Sequence, residues 1–201
     1  MSAYDLSRRG DGGAGMKFID ILTRRKSVRK FLDRTVERHK LVQCIEAARL
    51  APSGDNMQPW RFIVLDDPKM KKHFCREVTK GIYRRTRFIG SAPVIIVLVA
   101  KLNFIVHRIG KIVSRTNIQL IDTGIAGEHL VLQAQELGIG TCWINLFNVK
   151  RAEKVLGLPK SYKVVSLIAM GYPAEGATRD RSRFPLERIL YFNDEYRKKL
   201  T

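Results

Sequence analysis

A chain of 201 residues with 45% hydrophobic residues is long enough to close one sizeable core without disulfide or metal staples. Its three cysteines, Cys44, Cys75 and Cys142, form no C-x-x-C pair, which argues against a disulfide framework and a zinc site and fits a reducing compartment. The formal charge of +18 favours anionic partners, whether nucleic acid, lipid or a phosphorylated cofactor, and does not by itself choose among them.

Residues 1–15 are small, polar and Gly-rich and lack the apolar core of a signal peptide, so a cytoplasmic protein is expected. They read as a flexible leader or an expression scar, with Met16 a natural start and residues 16–201 a single domain. No apolar run approaches the roughly 18 residues of a membrane-spanning helix, and no membrane association is expected.

The apolar positions Phe18, Ile19, Ile21 and Leu22 predict a first helix over 17–25 that ends in positive charge. A second helix opens at Thr35 to Arg38, turns Leu41, Val42, Ile45, Ala47, Ala48 and Leu50 inward, and stops at Pro52. After a loop over 53–59, a short strand covers 61–65 and a Lys-rich helix runs from Pro68 to about Tyr83. The run PVIIVLVA, residues 93–100, reads as a central strand buried on both faces.

A basic, poorly periodic segment over 101–115 precedes a helix from about Asn117 to Leu137 that is apolar nearly all round, so it is central or at an interface. Gly138 ends it, and a strand over 141–146, a short helix over 149–156 capped by Asn148, and a strand over 162–170 follow. The tail from Pro185 to Leu200 fits neither period, so helix and extended arm both stay open. With no internal repeat or linker, the alternation reads as one α/β domain.

Arg25, Lys26, Ser27 and Arg29 place three cations and a hydroxyl within five residues at a helix end, which suits a phosphate monoester and equally a solvated basic turn. The loop APSGDNMQPW, from Ala51 to Trp60, is dense in turn formers and side-chain amides. It suits the polar edge of a planar heterocycle and equally an ordinary packed turn. The histidines His39, His73, His107 and His129 share no metal-ligand spacing and read as structural or surface groups, and Cys142 reads as a small buried hydrophobe.

RRKSVRKF followed by APSGDNMQPWRFIVL resembles the opening of the nitroreductase family of flavoproteins, and the likeness continues through SAPVIIVLVA, DTGIAGEHLVLQAQELGIGTCWINLFN, LGLP, MGYPAE and RSRFPL. It implies an α+β fold with α/β-like alternation, a mixed central sheet flanked by helices, and a homodimer with two sites at the subunit interface. It implies that Arg25, Lys26, Ser27 and Arg29 hold the phosphate and pyrimidine edge of noncovalent FMN, with Arg181 and Arg183 closing from the C-terminal side. Ser53, Gly54 and Asn56 would reach the flavin of the other subunit, and Asn145 and Leu146 would lie beside the ring, the Asn145 main-chain N–H donating toward N5.

The activity so implied is hydride transfer from NADH or NADPH through flavin N5 to a nitroaromatic, quinone or enone, with no catalytic side chain and no metal. Alternatives on the same fold are dehalogenation and flavin processing. A nucleic-acid-binding module is disfavoured, because the basic runs lack interleaved exposed aromatics. Two departures stand out: Gly54 where many members carry serine, and Asn145 with Leu146 where Glu-Gly or Gly-Gly is common.

Overall fold

The computed structural model describes residues 17–102, 117–178 and 181–193. The leader over 1–15, most of the basic segment over 101–115 with His107, and the last part of the tail lie outside the described residues.

Four strands build the sheet: β1 (Trp60–Leu65), β2 (Val94–Lys101), β3 (Gly140–Ile144) and β4 (Tyr162–Gly171), in the order β1-β2-β4-β3. β2 and β4 are central. β2 is covered on both faces, which is why its sequence is a continuous apolar run rather than an alternation. Every residue from Val94 to Ala100 is buried.

The side chains of β2 still alternate in direction. Val94, Ile96 and Leu98 enter one core and Ile95, Val97 and Val99 the other. The first core lies under α2 (Arg38–Arg49), which contributes Leu41, Cys44 and Ala48. The second lies under α3 (Pro68–Val78), which contributes Phe74, Cys75 and Val78. Helix α4 (Ile118–Glu136) completes the first with Ala126, Leu130, Val131 and Ala134, and α5 (Val149–Val155) adds Ala152 to the second. Each fully buried large side chain, such as Leu98, Leu130 or Phe74, contributes about 1.5–3 kcal/mol. Gly127 lets α4 lie close on the sheet, since a Cβ there would collide with Trp143 and Leu98.

The sheet departs from the mixed arrangement implied by the sequence. All three strand pairings are antiparallel. Among the described residues, parallel pairing is confined to an isolated bridge between Ser27 and Thr141. β2 and β3 run in the same direction, joined by a crossover through α4, but β4 inserts between them and pairs antiparallel with both.

Side-chain caps mark the starts of two helices. Asp67 accepts from the Met70 amide at 2.7 Å and Pro68 occupies the first turn, starting α3. Asn148 accepts from the Arg151 amide at 3.0 Å and starts α5. The third helix stops at Val78 rather than near Tyr83, because the Thr79 hydroxyl bonds back to the Cys75 carbonyl at 2.8 Å and Gly81 takes φ of 66°. The chain then continues as a 3-10 helix, Gly81–Ser91.

The apolar first helix, α1 (Phe18–Arg24), buries only Ile21; Phe18 is 64% exposed. The all-round apolar character of α4 likewise divides. Its buried face includes the polar Gln119, Asp122 and Thr123, while Ile118, Ile121 and Ile125 stay exposed, Ile121 by 51%. Among the described residues no helix is long and apolar enough to cross a membrane.

Candidate functional site

The chain leaves α1 through Arg25 in an extended conformation, and Val28, 3% exposed, is buried while Arg25, Lys26, Ser27 and Arg29 are not. The segment is clamped by its backbone. Val28 N–H donates to the Thr141 carbonyl at 2.9 Å, and Arg29 N–H to the Ala177 carbonyl at 3.1 Å. Gly140 permits this approach, because a Cβ would come within 2.6 Å of Val28. Fixed main chain aims flexible cations at one place.

That place is an open cavity of about 780 Å³ lined by Leu22, Thr23, Arg25, Lys26, Ser27, Arg29, Arg181 and Arg183. The residues read from the basic motif near the N-terminus and from the Arg-x-Arg near the C-terminus, far apart in sequence, therefore share one pocket. Among the described residues, its lining offers no carboxylate. Cys142 lies beneath it: burial pushes its thiol up, and the positive charges of Arg29, Arg181 and Arg25 partly oppose that shift. The thiol is buried and protonated near neutral pH, which agrees with the structural role read from the sequence.

The loop after α2 forms a separate part of the candidate site. Asp55, Asn56 and Gln58 all have positive φ, of 49°, 51° and 46°, a conformation that costs a side-chain-bearing residue energy and persists only when its surroundings hold it. The holding groups are its own: Gln58 N–H donates to Ser53 Oγ at 2.9 Å and Gln58 Nε2 to Asn56 Oδ1 at 3.0 Å. Gly54 N–H reaches Asp122 Oδ2 at 3.3 Å, which ties the loop to the first turns of α4. Burial raises the Asp122 carboxyl, and the Gly54 N–H works against that shift. A Cβ at position 54 would lie 3.3 Å from Ile118 Cγ2, so the serine common elsewhere would press on α4.

Asn145 and Leu146 are exposed and follow β3, which ends at Ile144 instead of running to Leu146. Two side chains from other elements hold this exit. Ser166 Oγ donates to Asn145 Oδ1 at 2.7 Å, and Thr86 Oγ1, from the 3-10 helix, lies 3.0 Å from the Leu146 carbonyl. Ser166 stands at a bulge: Leu98 pairs with Ser166 but Val99 with Val164, so one extra residue on β4 re-aims the chain there.

The fold thus unites Arg25, Lys26, Ser27, Arg29, Arg181 and Arg183 in one cavity. It keeps Ser53, Gly54 and Asn56 in the loop against α4, and Asn145 and Leu146 at the end of β3, outside that lining. Sequence reasoning missed Ser166 and Thr86. Ser166 left a trace, a lone hydroxyl in the apolar run VVSLIAM, whereas Thr86 had no signal beyond its place in a basic segment. His129, on α4, is part-buried with Nδ1 3.3 Å from the Ala47 carbonyl, in keeping with a structural group.

The Nitroreductase family model matches residues 22–172. An Archaeoglobus fulgidus protein with the provisional name NADH dehydrogenase/NAD(P)H nitroreductase is 31% identical over 155 residues, 75% of this chain and 82% of its own. Iodotyrosine deiodinase 1 of Rattus norvegicus is 29% identical over 199 residues, 87% of this chain and 68% of its own. A solved FMN-dependent nitroreductase from Clostridium difficile R20291 superposes with a TM-score of 0.69 at 31% identity, covering 87% of this chain and 99% of that one. Fold, motif order and sequence agree, and the chain belongs to the nitroreductase family.

Proposed function

We propose that the chain is an FMN-dependent oxidoreductase that takes reducing equivalents from NADH or NADPH and delivers them to a small acceptor such as a nitroaromatic, quinone or enone. The observation that carries this reading is the cation-lined cavity. Its volume of about 780 Å³ is in the range of cofactor sites, and its lining of Arg25, Lys26, Arg29, Arg181 and Arg183 with the Ser27 hydroxyl fits a phosphate dianion. When bound, FMN supplies hydride acceptance at N5 and onward electron transfer.

The chain's own part is binding and orientation. Arginine forks at 25, 29 and 183 would grip the phosphate bidentately, and Arg181 and Lys26 would add charge. The Asn145 main-chain N–H, on a segment held by Ser166 and Thr86, would donate toward the ring nitrogen. No side chain is assigned a covalent or proton-transfer role.

A homodimer fits the surface. Phe18, Ile19 and Leu22 on α1 and Ile118, Ile121 and Ile125 on α4 leave apolar side chains uncovered on neighbouring helices. Pairing there would bring the loop of Ser53, Gly54 and Asn56 toward the flavin of a second copy.

A second reading keeps the flavin but ends in dehalogenation, and the 29% identity to the rat deiodinase over most of this chain favours keeping it. The test is an absorbance spectrum of the purified protein with released flavin quantified, then anaerobic addition of NADH or NADPH and a panel of nitro, quinone and iodoaromatic acceptors. The reading expects near-stoichiometric FMN, bleached by the donor and restored by an acceptor. A protein that stays colourless after incubation with FMN overturns it.

A further inference from the structure

The basic motif and the Arg-x-Arg belong to two strips of chain that run side by side. Arg29 N–H donates to the Ala177 carbonyl at 3.1 Å, Ala174 N–H to the Lys30 carbonyl at 3.1 Å, and Leu32 N–H to the Tyr172 carbonyl at 2.9 Å. Between the last two bonds, Phe31 and Pro173 form an antiparallel bridge. The strips lie close there, since a Cβ on Gly171 would come within 3.0 Å of Phe31. In such a pairing, a slip of one residue turns every side chain to the opposite face. The register of this ladder therefore decides whether Arg29 meets the cavity that Arg181 and Arg183 line.

The Tyr172 side chain closes the end of the ladder away from the cavity. Its hydroxyl donates to Glu37 Oε2 at 2.5 Å and accepts from Lys40 Nζ at 2.7 Å, so its proton and an acceptor site are both used. The Arg34 guanidinium stands 3.9 Å from the ring centroid and bonds Glu37 at 3.1 Å. Glu37 and Lys40 sit at the start of α2, so one tyrosine on the strip after β4 is held by three residues of the stretch that follows Leu32. Charged partners and mutual polarisation make such a network stronger than an isolated surface pair. None of these four residues lines the cavity.

We propose that Tyr172 is a positioning residue for the phosphate end of the cofactor: bonded to Glu37 and Lys40 and covered by Arg34, it locks the register that brings Arg29 to the same cavity as Arg181 and Arg183. The proposal rests on the reading of that cavity as the FMN phosphate site. Tyr172 acts through main chain and touches no ligand.

The experiment uses the full chain freed of flavin and compares its affinity for FMN and for riboflavin by fluorescence titration. Tyr172→Phe keeps the ring beneath Arg34 and removes both hydroxyl bonds. The expected result is FMN binding weakened about tenfold with riboflavin binding held within about twofold, so that the preference for FMN contracts. Riboflavin separates the roles, because a general loosening of the fold weakens both flavins alike. Glu37→Gln, which leaves the hydroxyl an acceptor, is expected to keep most of the preference. Lys40→Met, which removes one donor, is expected to contract it part of the way.

An unchanged preference in Tyr172→Phe and Lys40→Met overturns the proposal, and so does an equal loss for the two flavins, which would assign Tyr172 to the fold as a whole. If Tyr172→Phe does not fold, Lys40→Met decides by the same two outcomes. In either case a wild-type preference for FMN leaves the phosphate reading in place. A wild-type chain that binds both flavins equally removes that reading, and this proposal falls with it.

Discussion

Ser166 Oγ lies 2.7 Å from Asn145 Oδ1, joining the bulge of the central strand β4 to the residue at which the edge strand β3 leaves the sheet. Ser166 is 1% exposed and Asn145 is exposed, so the bond runs from the packed interior to the surface of the candidate site. A rigid strand thereby sets the position of a loop main chain whose N–H is the proposed donor to the flavin.

Ser166→Ala removes that tether without adding volume. Loss of one buried hydrogen bond costs about 1 kcal/mol in stability. If the tether orients the Asn145 N–H, the variant also shifts the flavin midpoint potential and slows reduction by NAD(P)H, by about tenfold. Ser166→Thr, which keeps the hydroxyl, restores the potential. A variant with lowered stability and unchanged potential assigns Ser166 to packing alone.

Arg25→Gln, Arg29→Gln and Arg183→Gln each remove a guanidinium from the cavity lining. Charge-assisted hydrogen bonds contribute about 1.5–3 kcal/mol each, so each variant raises the FMN dissociation constant about 10- to 100-fold. Fluorescence titration of apoprotein measures it, with circular dichroism checking the fold. Unchanged affinity in all three contradicts the phosphate assignment.

Much of this site could be read from the sequence, and the reasons for the remainder are physical. The basic motif, the Arg-x-Arg and the Asn148 cap are local patterns, and the run of β2 announces burial on two faces; all appear at the expected residues. The direction of strand pairing depends on how the chain returns over long distances, which apolar periodicity does not encode. The exit of β3 at Asn145 depends on Ser166 and Thr86, 21 and 60 residues from their partners in sequence. The exposed faces of α1 and α4 carry apolar residues, and the near all-round apolar pattern of α4 does not by itself distinguish a central helix from one at an interface.

Glu37 accepts from the Tyr172 hydroxyl at 2.5 Å, and Lys40 and Arg34 also bond it. The Tyr172 hydrogen bond, helped by a backbone bond and these cations, lowers its carboxyl from 4.5 to about 2. Because the folded value is the lower one, its contribution is fully present above the unfolded value and is lost as pH falls from about 4.5 through about 2. Urea unfolding of wild type and Tyr172→Phe is expected to differ at pH 6 and to converge as pH drops through this window. A gap that widens on acidification contradicts the assignment.

Ile121 stands exposed on α4, within the apolar surface assigned to the dimer. Ile121→Glu places a charge where an apolar side chain worth about 1.5–3 kcal/mol would be covered on each copy. Sedimentation velocity should show a wild-type dimer shifted to monomer in the variant, with reduced flavin content. A monomeric wild type that holds flavin fully contradicts the interface.

The central claim is that the cationic cavity of Arg25, Lys26, Ser27, Arg29, Arg181 and Arg183 exists to hold a phosphate-bearing flavin. The most direct test compares the affinity of the apoprotein for FMN and for riboflavin, which share the ring and the ribityl chain and differ in the phosphate. Two or more charge-assisted contacts predict that FMN binds at least about a hundredfold tighter, with the advantage shrinking in the arginine variants. Equal affinity for the two flavins, or none for either, would contradict the account.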